Sequence, residues 1–205
     1  MNELTESREA LDLFLKNLRE RTGKNHKQLE ENRYSKVILD PAVTLADYQT
    51  YIAKLYGVTT ACERDVYPAL GAVFSDLEER YKTEQITKDL LETGISKEKI
   101  AVLPIYQFRF STIAEALGVM YVLEGSTLGG RVLYKHINQT LGLTEKNGAS
   151  YFWGYGSKTG ILWKNFISTF TAYAVENNCE EEIITSAEHT FSIIDQWLSE
   201  AEITL

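Results

Sequence analysis

Apolar residues return every three or four positions along nearly all of this sequence, and almost nowhere every two. A period near 3.6 gathers such residues on one face of a helix, whereas a half-buried strand needs a period of two. Helices are therefore expected over 4–38, 45–57, 59–82, 84–92, 112–141, 158–177 and 180–203. Only the stretch from Ser150 to Tyr155 reads as a brief candidate strand. The three prolines, Pro41, Pro68 and Pro104, sit where breaks are expected, and no linker or internal repeat divides the chain. The acids Glu180, Glu181 and Glu182, after Asn177-Asn178, look like the capped start of the last helix. With 205 residues, the expectation is one all-α domain, a helical bundle spanning the whole chain.

Composition excludes several functions. The 29 acidic and 21 basic residues leave a formal charge of −8, which argues against a nucleic-acid partner. Cys62 and Cys179 lie far apart and match no metal or redox spacing, so a reducing cytoplasm is the expected compartment. The opening MNELTESREA has charges of both signs and no apolar core, and is not expected to be a leader. The longest apolar run, Ala116 to Leu123, falls far short of the ~20 residues of a membrane helix. A soluble protein with no membrane role is expected.

The first helix carries one suggestive histidine. At about 100° per residue from Leu11, Leu18, Thr22, Leu15 and Leu29 all fall within about 40° of zero, a core-facing stripe. His26 falls near about 60°, at the edge of the stripe, with Arg19 near about 80° and Glu30 near about 100°. The plain reading is a boundary histidine with an i,i+4 partner. The chemical reading is a metal ligand whose second ring nitrogen is steadied by Glu30, with Arg19 placed for an anionic group nearby. One histidine cannot hold a bare ion, and the paired Glu-x-x-His motifs of a di-iron bundle are absent. It can hold a haem iron, whose porphyrin supplies four nitrogens.

The second signal is ALGVMYVLEGSTLGGRVLYKHI, residues 116–137. Glycine inside a helix costs roughly 1 kcal/mol relative to alanine, yet this run carries four. Gly125 and Gly129 fall about 20° either side of Gly118, so the three make one bare stripe, with Gly130 elsewhere. Such a stripe admits either another helix at close range or a flat ligand. Ser126, beside it, could order a water, and Glu124, the lone acid of an apolar stretch, reads as a structural hydrogen-bonding group. Trp153, Trp163 and Trp197 read as core residues.

Together these segments are recognisable. LRERTGKNHKQLEEN (18–32) resembles the proximal helix of haem oxygenases, and 116–137 resembles their distal helix. YVLEGSTLGG and YFWGYGSKTGILWKNF (151–166) look like the bacterial branch whose members often accompany bacteriophytochromes, and LADYQTYIAKLYG (45–57) is similar to its second-helix region. The resemblance implies a single helical domain with haem between two helices. By it, His26 matches the proximal iron ligand, Glu30 its carboxylate partner, and Gly125 and Gly129 the glycines against the distal face. Arg19 matches a propionate-binding base, Lys164 lies roughly where a later basic group is expected, and Phe191 where an aromatic wall is expected. Tyr121 is a further candidate for the haem edge. Ser126 stands where the animal enzymes have an aspartate that organises distal water, which leaves the arrangement of that water open.

The activity implied is oxidation of haem, as both substrate and cofactor, by O₂ and electrons to biliverdin, CO and ferrous iron. An electron-donor protein, either a ferredoxin or a reductase, is expected to dock near Arg19, Lys24, Lys27 and Lys164. A bacteriophytochrome is an expected acceptor of biliverdin. The competing readings are a non-catalytic haem or bilin carrier of the same fold, a thiaminase-like enzyme using Cys62 or Cys179, and a purely structural helical adaptor, which leaves the shared face of Gly118, Gly125 and Gly129 unexplained.

Overall fold

The computed structural model describes residues 3–205, with side chains from Arg8 onward. The first two residues of the opening segment lie outside the described residues. Among the described residues ten α-helices follow one another: α1 (Glu3–Glu31), α2 (Arg33–Val37), α3 (Leu45–Ala61), α4 (Tyr67–Leu70), α5 (Thr83–Glu92), α6 (Lys97–Ala101), α7 (Ile113–Leu141), α8 (Ser150–Trp153), α9 (Thr159–Glu176) and α10 (Glu180–Glu200). No strand occurs among the described residues, so the all-α expectation holds. No described helix is long and apolar enough to cross a membrane.

The longer helices lie where periodicity placed them, and each difference has a physical cause. The expected helix over 4–38 breaks at Asn32, whose extended ψ of 140° ends α1. Its side-chain oxygen accepts from Tyr34 N and so starts α2. The stretch 59–82 is not one helix. Pro68 has no N–H to give the Arg64 carbonyl, and the backbone widens into a π turn over Cys62–Val66 just before it. After α4 the chain loops and ends in a 3₁₀ turn, Leu77–Arg80. Ser150 to Tyr155 is not a strand: it forms the single turn of α8 and its exit. Asn177 and Asn178 close α9 rather than cap α10, for Asn178 takes a left-handed φ of 51° and the residue before α10 is Cys179, which makes no capping bond.

Two seams position the site. The first joins α1 to α10 through a ladder of polar side chains. Arg21 binds Glu188 at 2.8 Å and Glu181 at 3.0 Å. Asn25 donates to Ser192 Oγ at 2.9 Å, and Gln28 to Asp195 at 2.8 Å. Asn32 donates to Asp195 at 2.7 Å and Ser199 at 2.9 Å. Beneath the ladder Phe14, Leu18 and Thr22 are buried. The second seam joins α7 to α10 at Gly118. A Cβ there would stand 2.5 Å from Ser186 Cβ and 2.8 Å from Ala187 N. Gly118 therefore serves the helix–helix contact that its bareness allowed, not a ligand.

Candidate active site

Beyond Gly118 a pocket opens between α1, α7 and α10, with a volume of about 350 Å³, within the usual range of small-molecule sites. Its lining is largely apolar, with Leu29 from α1, Leu55 and Val58 from α3, and Val122, Leu123 and Leu133 from α7. Arg19, His26, Tyr121, Gly125, Ser126 and Phe191, all singled out in the sequence, meet on its wall.

His26 stands half exposed, its side chain 56% accessible, with Nδ1 3.7 Å from Glu30 Oε1. That separation is too long for a hydrogen bond, and neither ring nitrogen makes one among the described residues. The Phe191 ring meets the imidazole edge-on at 5.3 Å and limits its rotation. Across the helices, Gly125 turns its bare backbone to the pocket, and a Cβ there would lie 3.7 Å from Trp163. Tyr121 stacks on Phe170 at 5.5 Å, and burial raises its phenol above the usual range. Ser126 Oγ donates to Leu123 O at 2.6 Å, so its one proton is already committed.

Three sequence candidates lie off the wall. Glu30 reaches the site only through His26. Gly129 is exposed and does not line the pocket, and a Cβ there would meet nothing within 4 Å. Lys164 is exposed on α9, one residue past Trp163, which does line the pocket and is not simply core.

Sequence reasoning missed the charged cluster behind α7. Glu124 is 1% exposed, and the role read for it holds: Oε2 accepts from Arg80 Nη1 and Oε1 from Tyr155, both at 2.6 Å. Arg80, itself fully buried, also binds Asp76 at 2.6 Å and the Leu162 carbonyl at 3.1 Å. Lys82 lines the pocket from the same side, where nothing in the periodicity of 59–82 hints at a buried cation. The cysteines offer no nucleophile. Burial pushes both thiols up, with Glu63 and Glu124 adding to this at Cys62 and Glu182 and Glu180 at Cys179.

No group of three or more His, Cys, Asp or Glu able to hold a bare metal ion occurs among the described residues. The pocket's one imidazole suits an iron that brings its own equatorial ligands. An apolar pocket, one histidine with a carboxylate beside it and a bare stretch of helix define a helical protein whose pocket suits a flat ligand that brings its own metal. The Heme oxygenase family profile matches residues 12–200, and the chain belongs to that family. The fold is that of solved bacterial members. The heme oxygenase of Neisseria meningitidis matches with a TM-score of 0.73 at 24% identity, over 92% of this chain and 91% of that one. That of Leptospira interrogans gives 0.74 at 17% identity, over 91% and 98%. Heme oxygenase-1 of Synechocystis sp. PCC6803, solved in complex with heme, gives 0.67 at 20% identity, over 92% of each chain. Among curated protein sequences, none matches this chain.

Proposed function

We propose that this chain opens haem oxidatively, using O₂ and reducing equivalents and releasing biliverdin, CO and ferrous iron. The observation that carries the reading is the meeting of the His26 imidazole and the Gly125 backbone on one apolar pocket. Bound haem supplies the iron and the porphyrin at which O₂ is activated. The chain's own residues do the rest. His26 offers Nε2 to the iron, and the Glu30 carboxylate beside Nδ1 favours the tautomer that keeps Nε2 free. A neutral imidazole, unlike a thiolate, does not push electron density toward O–O cleavage. Arg19, on the pocket wall, pairs with a propionate and so fixes how the ring is turned. Gly125 keeps the facing wall close without a side chain, and Gly129, one turn on, stays bare over any group that extends past it. Leu29, Val122 and Phe152 keep bulk water out.

The electron donor docks at the exposed Arg19, Lys24 and Lys27 of α1, a local basic patch on an acidic protein. The YVLEGSTLGG wording of α7 supports the bacteriophytochrome-associated branch, with a phytochrome as the acceptor of biliverdin. The free Cys62 and Cys179 suit a cytoplasmic setting.

The test is a hemin titration followed by reductant under air, with His26→Ala alongside. A Soret shift that the variant loses, then conversion to a biliverdin band in the wild type, is the expected result. A Soret shift with no conversion under a competent reductant would make the chain a carrier. Full conversion by His26→Ala without added imidazole would remove the histidine from its role.

A further inference from the structure

Lys82 is a cation that the reading so far leaves without work. It lies between the 3₁₀ turn and α5, only 5% exposed, and lines the pocket beside Leu123 and Tyr151. Its ammonium makes no hydrogen bond among the described residues. Its nearest carboxylate oxygen, Glu124 Oε1, stands 3.9 Å away and already accepts from Tyr155. The Tyr155 ring lies 4.8 Å from Nζ. An ammonium has three protons to give and no acceptor capacity, and an ion pair at 3.9 Å leaves those protons free for a ligand in the pocket.

Behind Lys82 lies a second chamber of about 10 Å³, room for about one water, bounded by Thr59, Cys62, Glu63, Tyr67 and Tyr151 as well as Lys82 and Leu123. Lys82, Leu123 and Tyr151 belong to both walls, so the cation stands at the partition between chamber and pocket. The chamber's own polar atoms are largely spoken for. Glu63 Oε1 accepts from Lys82 N and Thr83 N, and the Thr59 and Tyr151 hydroxyls bond each other at 3.0 Å. What remains with protons to give is the ammonium, ion-paired with Glu124 at 3.9 Å but without a hydrogen bond, on the wall of a pocket whose serine has already committed its proton to the chain.

We propose that Lys82 Nζ binds small anions at the inner wall of the pocket, apart from the propionate site at Arg19, donating to a small inorganic anion or, in its absence, to a water held at the partition. The proposal rests on haem occupying the pocket, and names the residue that meets a small negative ligand there. The titratable groups facing Nζ are Glu124 from α7, Glu63 and the neutral Cys62 thiol from the π turn, Arg80 from the 3₁₀ turn and the neutral Tyr155 phenol from the segment after α8. Burial pulls the ammonium below the usual lysine range, while Glu124, Cys62 and Glu63 pull it back up. A proton held less tightly is the more readily shared with an acceptor.

Azide is the probe. Hemin complexes of the wild type, Lys82→Met and Lys82→Arg are formed, and azide binding to the ferric form is followed optically. Lys82→Met is expected to keep its Soret band and lose azide affinity by about tenfold or more, the worth of a charge-assisted hydrogen bond. Lys82→Arg, which keeps the charge, is expected to retain most of the affinity. A purely structural lysine would leave azide binding unmoved. Azide affinity within about twofold of wild type in a hemin-loaded Lys82→Met would overturn the proposal and leave the haem reading intact. A wild type that takes up no hemin would end both. If Lys82→Met does not fold by circular dichroism, Lys82→Gln carries the same measurement.

Discussion

The glycines of α7 allow a test in which one substitution, made twice on one helix, gives opposite results. Gly118→Ala places a methyl 2.5 Å from Ser186 Cβ, 2.6 Å from Ser186 Oγ and 2.8 Å from the Ala187 backbone nitrogen. Ser186 cannot swing aside freely, because its hydroxyl donates to Glu115 O at 2.7 Å, and Ala187 N belongs to the backbone of α10. The helices must part, and overpacking of this kind costs about 1–3 kcal/mol. Gly129→Ala meets nothing within 4 Å and is expected to gain about 0.5–1 kcal/mol from helix propensity alone. Propensity is common to both variants, so their difference isolates the steric term. At about 2–4 °C per kcal/mol for a chain of this size, the variants should melt several degrees apart, with wild type between or near Gly118→Ala. The assay is urea and thermal unfolding of the ligand-free protein, followed by hemin titration. Because the Gly118 seam sets how far α7 stands from α10, Gly118→Ala should also weaken hemin binding. Gly129→Ala should weaken hemin binding only through its own methyl, in a protein more stable than wild type. Equal stabilities for the two variants would refute the close approach at Gly118.

Two further outcomes follow from the charged groups. Glu124→Ala leaves the fully buried Arg80 with Asp76 and the Leu162 carbonyl and should cost about 3–5 kcal/mol in denaturant unfolding; a cost under about 1 kcal/mol would mean that the pair does not hold α7. The Asp65 carboxyl is held below the usual range by the Arg64 guanidinium, with the Phe108 N–H also donating to it. Its folded pKa lies below its unfolded one, so its stabilisation is full above about pH 4 and is lost as pH falls through the folded value. Stability against pH should therefore fall less steeply below about pH 4 in Asp65→Asn than in wild type, and parallel curves would exclude the ion pair.

What the sequence made legible was whatever lies within a few residues of itself. Residues 112–141 were readable as a helix because their apolar period is local, and the structure bounds it as locally, with Thr112 accepting from Glu115 N at one end and Gly142 left-handed, at φ 70°, at the other. The break at Asn32 was not readable, because the atoms that hold that side chain, on Asp195 and Ser199, arrive from the far end of the chain. The glycine stripe was read as either a helix contact or a ligand face, and it divides between them: Gly118 meets α10 and Gly125 meets the pocket. His26 came forward through its neighbours on one helix. Lys82 did not, because its burial is made by Glu124, Tyr155 and Glu63, from three separate segments.

The two walls of the pocket are fixed from outside it. The His26 wall is held by Arg21, Asn25, Gln28 and Asn32, whose bonds to α10 need no ligand and keep the imidazole at a set height on that helix. The glycine wall is pinned from behind at three levels. Gly118 sits on Ser186, Glu124 is bound by Arg80 and Tyr155, and Arg131 Nη1 donates to Gly156 O at 2.8 Å. Between these pins, on the side toward the pocket, stand Gly125 and Ser126. The bareness of Gly125 therefore provides clearance rather than looseness: the backbone is held, and only the side chain is missing. The proposed flat ligand, entering between that histidine and the pinned glycine, would meet a gap whose width is already set. That gap is why a substitution at Gly118 or Glu124, neither of which touches the pocket, should register in how the pocket binds.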